Sequence, residues 1–118
     1  VEAAIDGALA GVEAQWDPRP SLGVVLAAKP YPETPIVGDV ISGLADVPAS
    51  AKVFHAGTAL DADGNVVSAG GRVLCVAALG DSVGDAQKHA YAGVAKIHWA
   101  NEFHRNDIGW RAIAREQQ

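Results

Sequence analysis

The chain of 118 residues has no methionine and a single cysteine, Cys75. One thiol cannot form an intrachain disulfide, so packing and hydrogen bonds must hold the fold, as suits a reducing compartment such as the cytoplasm. The lack of any methionine, even at position 1, reads as a segment cut from a longer polypeptide. No apolar run approaches the ~20 residues that cross a bilayer. The opening Val1-Glu2-Ala3-Ala4 also lacks the basic-then-apolar plan of a secretory signal. Cations are scarce: nine Lys and Arg against fourteen Asp and Glu leave a formal charge of −5. With no Lys or Arg cluster, the chain is not expected to bind a nucleic-acid backbone.

Catalytic signatures are missing too. There is no serine elbow and no Gly-rich Lys-Ser phosphate loop. The four histidines, His55, His89, His98 and His104, include no i, i+4 pair. His89 and His98 would fall on opposite helix faces, so scattered or hydrogen-bonded histidines are expected rather than a metal site. Asp81 and Asp85 read as a solvated helix start rather than an acid/base pair. A carrier domain needs a lysine at a hairpin tip, and the tip here is Asp63-Gly64-Asn65.

What is present reads as a globular α+β domain, with 49% apolar and 19% charged residues. Ala4, Ile5, Ala8, Leu9 and Val12 form a helical stripe over residues 1–14, ended by the prolines at 18 and 20. Residues 22–28 suit a buried strand, residues 29–35 a proline-rich loop, and residues 38–44 a short strand. Residues 52–60 and 66–67 form the arms of a hairpin turning at Asp-Gly-Asn. Residues 72–79 make a third strand of the same sheet, with Arg72, Leu74, Val76 and Ala78 sharing a face. Both of its faces are apolar beyond Arg72, so it is expected to be central, covered on each side, with Cys75 buried. Ser82 caps a long helix running to about His98, with Val83, Ala86, Ala90, Val94 and Ile97 on its inner stripe. Residues 107–113 read as a terminal turn or short edge element, and 115–118 as a frayed tail.

The candidate site is Gly70-Gly71-Arg72. Glycines allow close approach of a ligand or another segment, and an arginine after them offers a donor fork to carboxylate or phosphate. A bulge with Arg72 paired to an acidic neighbour is the competing expectation. In the run 52–58, His55 and Gly57 would share one face and Thr58 the other.

The runs "LGVVLAA", "GDVISGL", "KVFHAGT", "GGRVLCV" and "DIGWRAI", in that order, closely resemble the C-terminal domain of the phosphoribosylamine–glycine ligase family, in the ATP-grasp superfamily. The resemblance covers residues 20–118, and residues 1–15 are similar to the helix leading into that domain. One departure is Pro30, which stands where the family usually has glycine before Tyr-Pro. The resemblance implies a half-barrel-like antiparallel sheet with one long packed helix and an N-terminal connecting helix. It divides the chain into a linking helix (1–15) and the C-terminal domain (16–118). It implies ligation of glycine to phosphoribosylamine with ATP and magnesium, whose ligands lie upstream in the remaining N-terminal and ATP-grasp domains. The fragment alone would then be inactive. Arg72, with Gly70 and Gly71, becomes the substrate-side contact, and His55 and Thr58 become scaffold. The alternative is a non-catalytic assembly module, for which Trp16, Trp99 and Trp110 would supply a surface that expects a neighbour.

Overall fold

In the computed structural model, which describes residues 18–118, apolar alternation builds strand β1 at Ser21–Ala28. The expected helix over 1–14 and Trp16 lie outside the described residues. In β1, Leu22, Val24, Leu26 and Ala28 are buried, whereas Ser21, Gly23 and Val25 are exposed. That is the signature of one covered face, not two. The next strands are β2 (Ala51–His55), β3 (Thr58–Leu60), β4 (Val66–Ser68) and β5 (Arg72–Leu79). Helix α1 (Val83–Val94), strand β6 (Glu102–Phe103) and helix α2 (Trp110–Glu116) complete the order. The architecture is α+β: an antiparallel sheet in the order β2-β5-β1-β6, with β3-β4 as a separate two-stranded ribbon.

Strand β5 is interior to its sheet, as its composition requires, but among the described residues only one of its faces is covered by another layer. Leu74, Val76 and Ala78 are buried with Leu22, Val24 and Leu26 against Ala86, Ala90 and Val94 of α1. The small residues of the helix let its backbone sit close to the sheet. On the other face Cys75, Ala77 and Leu79 remain half-buried. This corrects the expectation of a buried thiol, and the second cover expected for the strand is not found among the described residues.

Two expected strands are reorganised by crossings with distant backbone. The run 52–60 breaks at Ala56-Gly57, because the N–H groups of both residues donate to the carbonyl of Val73, each at 3.0 Å. Its second half then pairs with β4 instead of continuing beside β5. The run 38–44 makes only single bridges, Val40 to Val67 and Ser42 to His98, before a 3-10 turn at Leu44–Asp46. Gly43 turns the chain there at φ 88°, and a Cβ on it would lie 1.6 Å from the Lys96 carbonyl oxygen. The same crossing ends α1 at Val94 rather than His98, since His98 exchanges backbone bonds with Ser42 at 2.9 and 3.0 Å.

Helix α1 starts as its sequence implies, with Ser82 Oγ accepting from the Asp85 N–H at 3.1 Å. A second anchor comes from the expected frayed tail. Glu116, in α2, accepts from the N–H groups of Val83 at 2.7 Å and Gly84 at 3.0 Å. A carboxylate there satisfies two free amides and meets the positive end of the helix dipole. Replacing Glu116 with alanine should cost about 0.5–1 kcal/mol, read as a lower urea midpoint at unchanged slope.

Candidate functional site

The backbone route into β5 decides where Arg72 points. Leu26 pairs with Leu74 while Ala27 pairs with Arg72, leaving Val73 as an extra residue, a β-bulge. Val73 and Leu74 are both fully buried, at 0% exposure. The bulge therefore turns Arg72 onto the same face as its partner Ala27, away from Leu74, Val76 and Ala78. The expected shared face is corrected by this one inserted residue. The bulge was anticipated, but the acidic neighbour was not found: among the described residues, the exposed Arg72 guanidinium has no hydrogen bond or ion pair.

Arg72 borders an open cleft of about 510 Å³, lined also by Val25, Ala56, Gly57, Ala69, Gly70, Gly71, Leu74 and Cys75. Among the described residues it is the one formal cation in that lining, and no carboxylate accompanies it. Such a site attracts an anion without an internal competitor, and the guanidinium can hold carboxylate or phosphate through two parallel N–H bonds.

The glycines around the cleft differ in what they need. A Cβ on Gly57 would stand 2.3 Å from the Arg72 carbonyl oxygen, so only glycine fits under that crossing. Sequence reasoning gave Gly57 no such role, although its place in "HAGT" beside a neighbouring strand was the available signal. Gly70 and Gly71, in contrast, have no positive φ. A Cβ would meet nothing nearer than 3.8 Å at Gly70 and 3.5 Å at Gly71. The chain's own described packing does not require glycine at either position.

His55 and Thr58 do not line the cleft. The bend at Ala56-Gly57 brings them together instead of placing them on opposite faces, and His55 Nδ1 lies 2.8 Å from Thr58 Oγ1. His89 Nδ1 lies 2.8 Å from the Leu79 carbonyl oxygen, and His104 contacts the Glu102 carboxylate. Among the described residues no three His, Cys, Asp or Glu side chains converge to hold a metal ion. No described helix is long and apolar enough to cross a membrane. Of the tryptophans, Trp99 belongs to the core at 8% exposure, whereas Trp110 is 51% exposed.

Comparison with known proteins follows this geometry. The family described as phosphoribosylglycinamide synthetase, C domain, matches residues 21–111. A phosphoribosylamine–glycine ligase of Xanthomonas axonopodis pv. citri (strain 306) is 75% identical over 118 residues, covering 100% of this chain and 27% of the relative. That of Pseudomonas syringae pv. tomato is 60% identical, covering 99% of the chain and 27% of the relative. The crystal structure of the Thermotoga maritima phosphoribosylamine–glycine ligase superposes with a TM-score of 0.64 at 36% identity. It covers 74% of this chain and 21% of the Thermotoga chain. The chain thus spans about a quarter of the length of these relatives.

Proposed function

Because the chain belongs to the phosphoribosylglycinamide synthetase C-domain family, we propose that it acts as the C-terminal part of a phosphoribosylamine–glycine ligase. In this reading the whole enzyme joins glycine to 5-phosphoribosylamine with ATP, in cytoplasmic purine biosynthesis. ATP would phosphorylate the glycine carboxylate, with ADP leaving, and the amine of phosphoribosylamine would then attack the acyl carbon, losing a proton and displacing inorganic phosphate. The described residues hold no cluster fit for magnesium, and the sequence has no phosphate loop of the Gly-rich Lys-Ser type. In this reading ATP and its metal are held by the upstream N-terminal and ATP-grasp portions, and the 118-residue chain is inactive alone.

This chain's part is to bind and orient. Arg72 receives the phosphate of phosphoribosylamine, and Gly70 and Gly71 leave the backbone bare so that the substrate lies close. The supporting observation is that, among the described residues, Arg72 is the sole cation lining a cleft without a carboxylate. A charge-assisted hydrogen bond of about 1.5–3 kcal/mol corresponds to roughly 10–100-fold in affinity. Arg72→Ala in the full-length enzyme should raise KM for phosphoribosylamine by at least about tenfold and leave KM for ATP within about twofold. A rise confined to glycine would move Arg72 to the carboxylate of that substrate. Unchanged constants for both would reduce Arg72 to a surface residue.

A further inference from the structure

We propose that the cleft between residues 105–109 and helix α2 binds a nucleoside phosphate, with the base stacked at Trp110 and the phosphates held by Arg111 and Arg115. This second site is separate from the Arg72 cleft, and nothing in it depends on Arg72 contacting substrate.

The turn at Gly109 gathers the site. Its φ of 86° starts α2 directly after Asp107-Ile108. Ile108 is fixed on both sides, its N–H donating to Tyr91 Oη at 3.2 Å and its carbonyl accepting from Gln87 Nε2 at 2.9 Å. The result is a cleft of about 410 Å³, lined among others by Arg105, Asp107, Trp110, Arg111 and Arg115. That volume suits a small molecule. Spread from position 105 to 115, these arginines form no run in the sequence; only the turn makes them a cluster. The cleft shares no lining residue with that of Arg72. Gly109 abuts Leu22 at the start of β1, whereas Arg72 pairs with Ala27 near its end, about 16 Å further along the strand.

Charge, stacking surface and size together define the ligand. Arg105 donates from Nε and Nη2 to the Asp107 carboxylate, each at 3.1 Å, so this pair answers its own charge. The guanidinium groups of Arg111 and Arg115 have no such answer: among the described residues neither makes a hydrogen bond or ion pair. The carboxylate of α2, Glu116, is committed to the amides of Val83 and Gly84. Side chains four apart on a helix are neighbours, with Cβ atoms about 5–6 Å apart. Two open guanidinium forks at that spacing suit the oxygens of a phosphate chain. The stacking surface is Trp110, 51% exposed where Trp99 is buried at 8%. The Arg111 guanidinium lies 5.2 Å from the centroid of its ring. An indole left outside the core beside a cation is a platform for a flat base. Size limits the ligand to a single nucleotide, because a chain of net charge −5 repels a longer phosphate backbone beyond the cleft. An acidic peptide would answer the two guanidinium groups but leave the indole without a flat partner.

The test is fluorine NMR of the full-length ligase containing 5-fluorotryptophan, with the Trp110 signal assigned by Trp110→Phe. ADP should shift that signal with a Kd below about 1 mM, while the signal of buried Trp99 stays in place. Pyrophosphate, which carries the charge without the base, should bind at least about fivefold more weakly. Adenosine, the base without the charge, should bind at least about tenfold more weakly. The double variant Arg111→Ala/Arg115→Ala, checked for an unchanged urea midpoint, should weaken the ADP response at least about tenfold. A Trp110 signal that ADP leaves unmoved overturns the proposal. So does a shift that survives the double substitution, which would be relayed from a nucleotide bound elsewhere in the enzyme. Pyrophosphate binding as tightly as ADP would show that charge alone is read, and a hexaglutamate peptide binding more tightly than ADP would assign the cleft to an acidic protein partner. Either result also overturns it.

Discussion

Replacing Gly57 with alanine should destabilise the protein by about 2–3 kcal/mol, the largest effect expected of any single added methyl group near the cleft. The new Cβ would stand 2.3 Å from the Arg72 carbonyl oxygen, a backbone atom that cannot swing aside. Relief requires β2 and the start of β5 to separate, which breaks the two bonds that Ala56 and Gly57 donate to Val73. Alanine at Gly70 or Gly71 should instead leave stability within about 0.5 kcal/mol, because a Cβ fits at both. Urea unfolding of the three variants measures the contrast. If the functional reading holds, the two neutral substitutions should still weaken phosphoribosylamine binding in the full-length enzyme, since the space they fill is the ligand's. A Gly57→Ala variant as stable as the parent would show that the crossing is looser than described.

The second large effect is expected at Leu74. It is fully buried and pairs across the sheet with Leu26, equally buried, beneath α1. Leu74→Ala should cost about 2–5 kcal/mol, from lost burial and the cavity left behind. The denaturation midpoint should fall at constant slope, whereas Leu60→Ala, at an exposed position on the ribbon, should stay within about 0.5 kcal/mol. Equal effects at the two positions would contradict the assignment of the covered and open surfaces.

Local chemistry was legible and crossings were not. The hairpin could be read from Asp61 to Asn65 because its turn is self-contained. Asp61 Oδ1 accepts from the N–H groups of Asn65 at 2.8 Å and Asp63 at 2.9 Å, and Gly64 supplies φ 83°. Those bonds, the one from the Asn65 N–H foremost, hold the Asp61 carboxyl below its ordinary value. The start of α1 was equally readable, because Ser82 caps it within one turn. The break at Gly57 was invisible, since alternation continues through it and its cause, the Val73 carbonyl, lies sixteen residues away in the chain. Helix α2 escaped notice because it begins at Gly109, at φ 86°, with no side-chain cap. The tail seemed free because the partners of Glu116 lie more than thirty residues upstream.

At the candidate site the residue was legible and its direction was not. Glycines before an arginine marked Arg72 from the sequence alone, but period-two counting placed it beside Leu74. One bulged residue, Val73, reverses that assignment and carries the guanidinium to the uncovered face. The cleft and the half-exposed Val25 and Phe54 thus share a single surface with the proposed substrate contact.

If an anion-seeking guanidinium on that surface is what this segment contributes, the most direct check is calorimetric titration of nucleotide-free full-length enzyme with the phosphorylated reaction product. The account predicts at least about tenfold weaker binding for Arg72→Ala than for the parent, with ATP affinity preserved. Product affinity equal in the two proteins would contradict it.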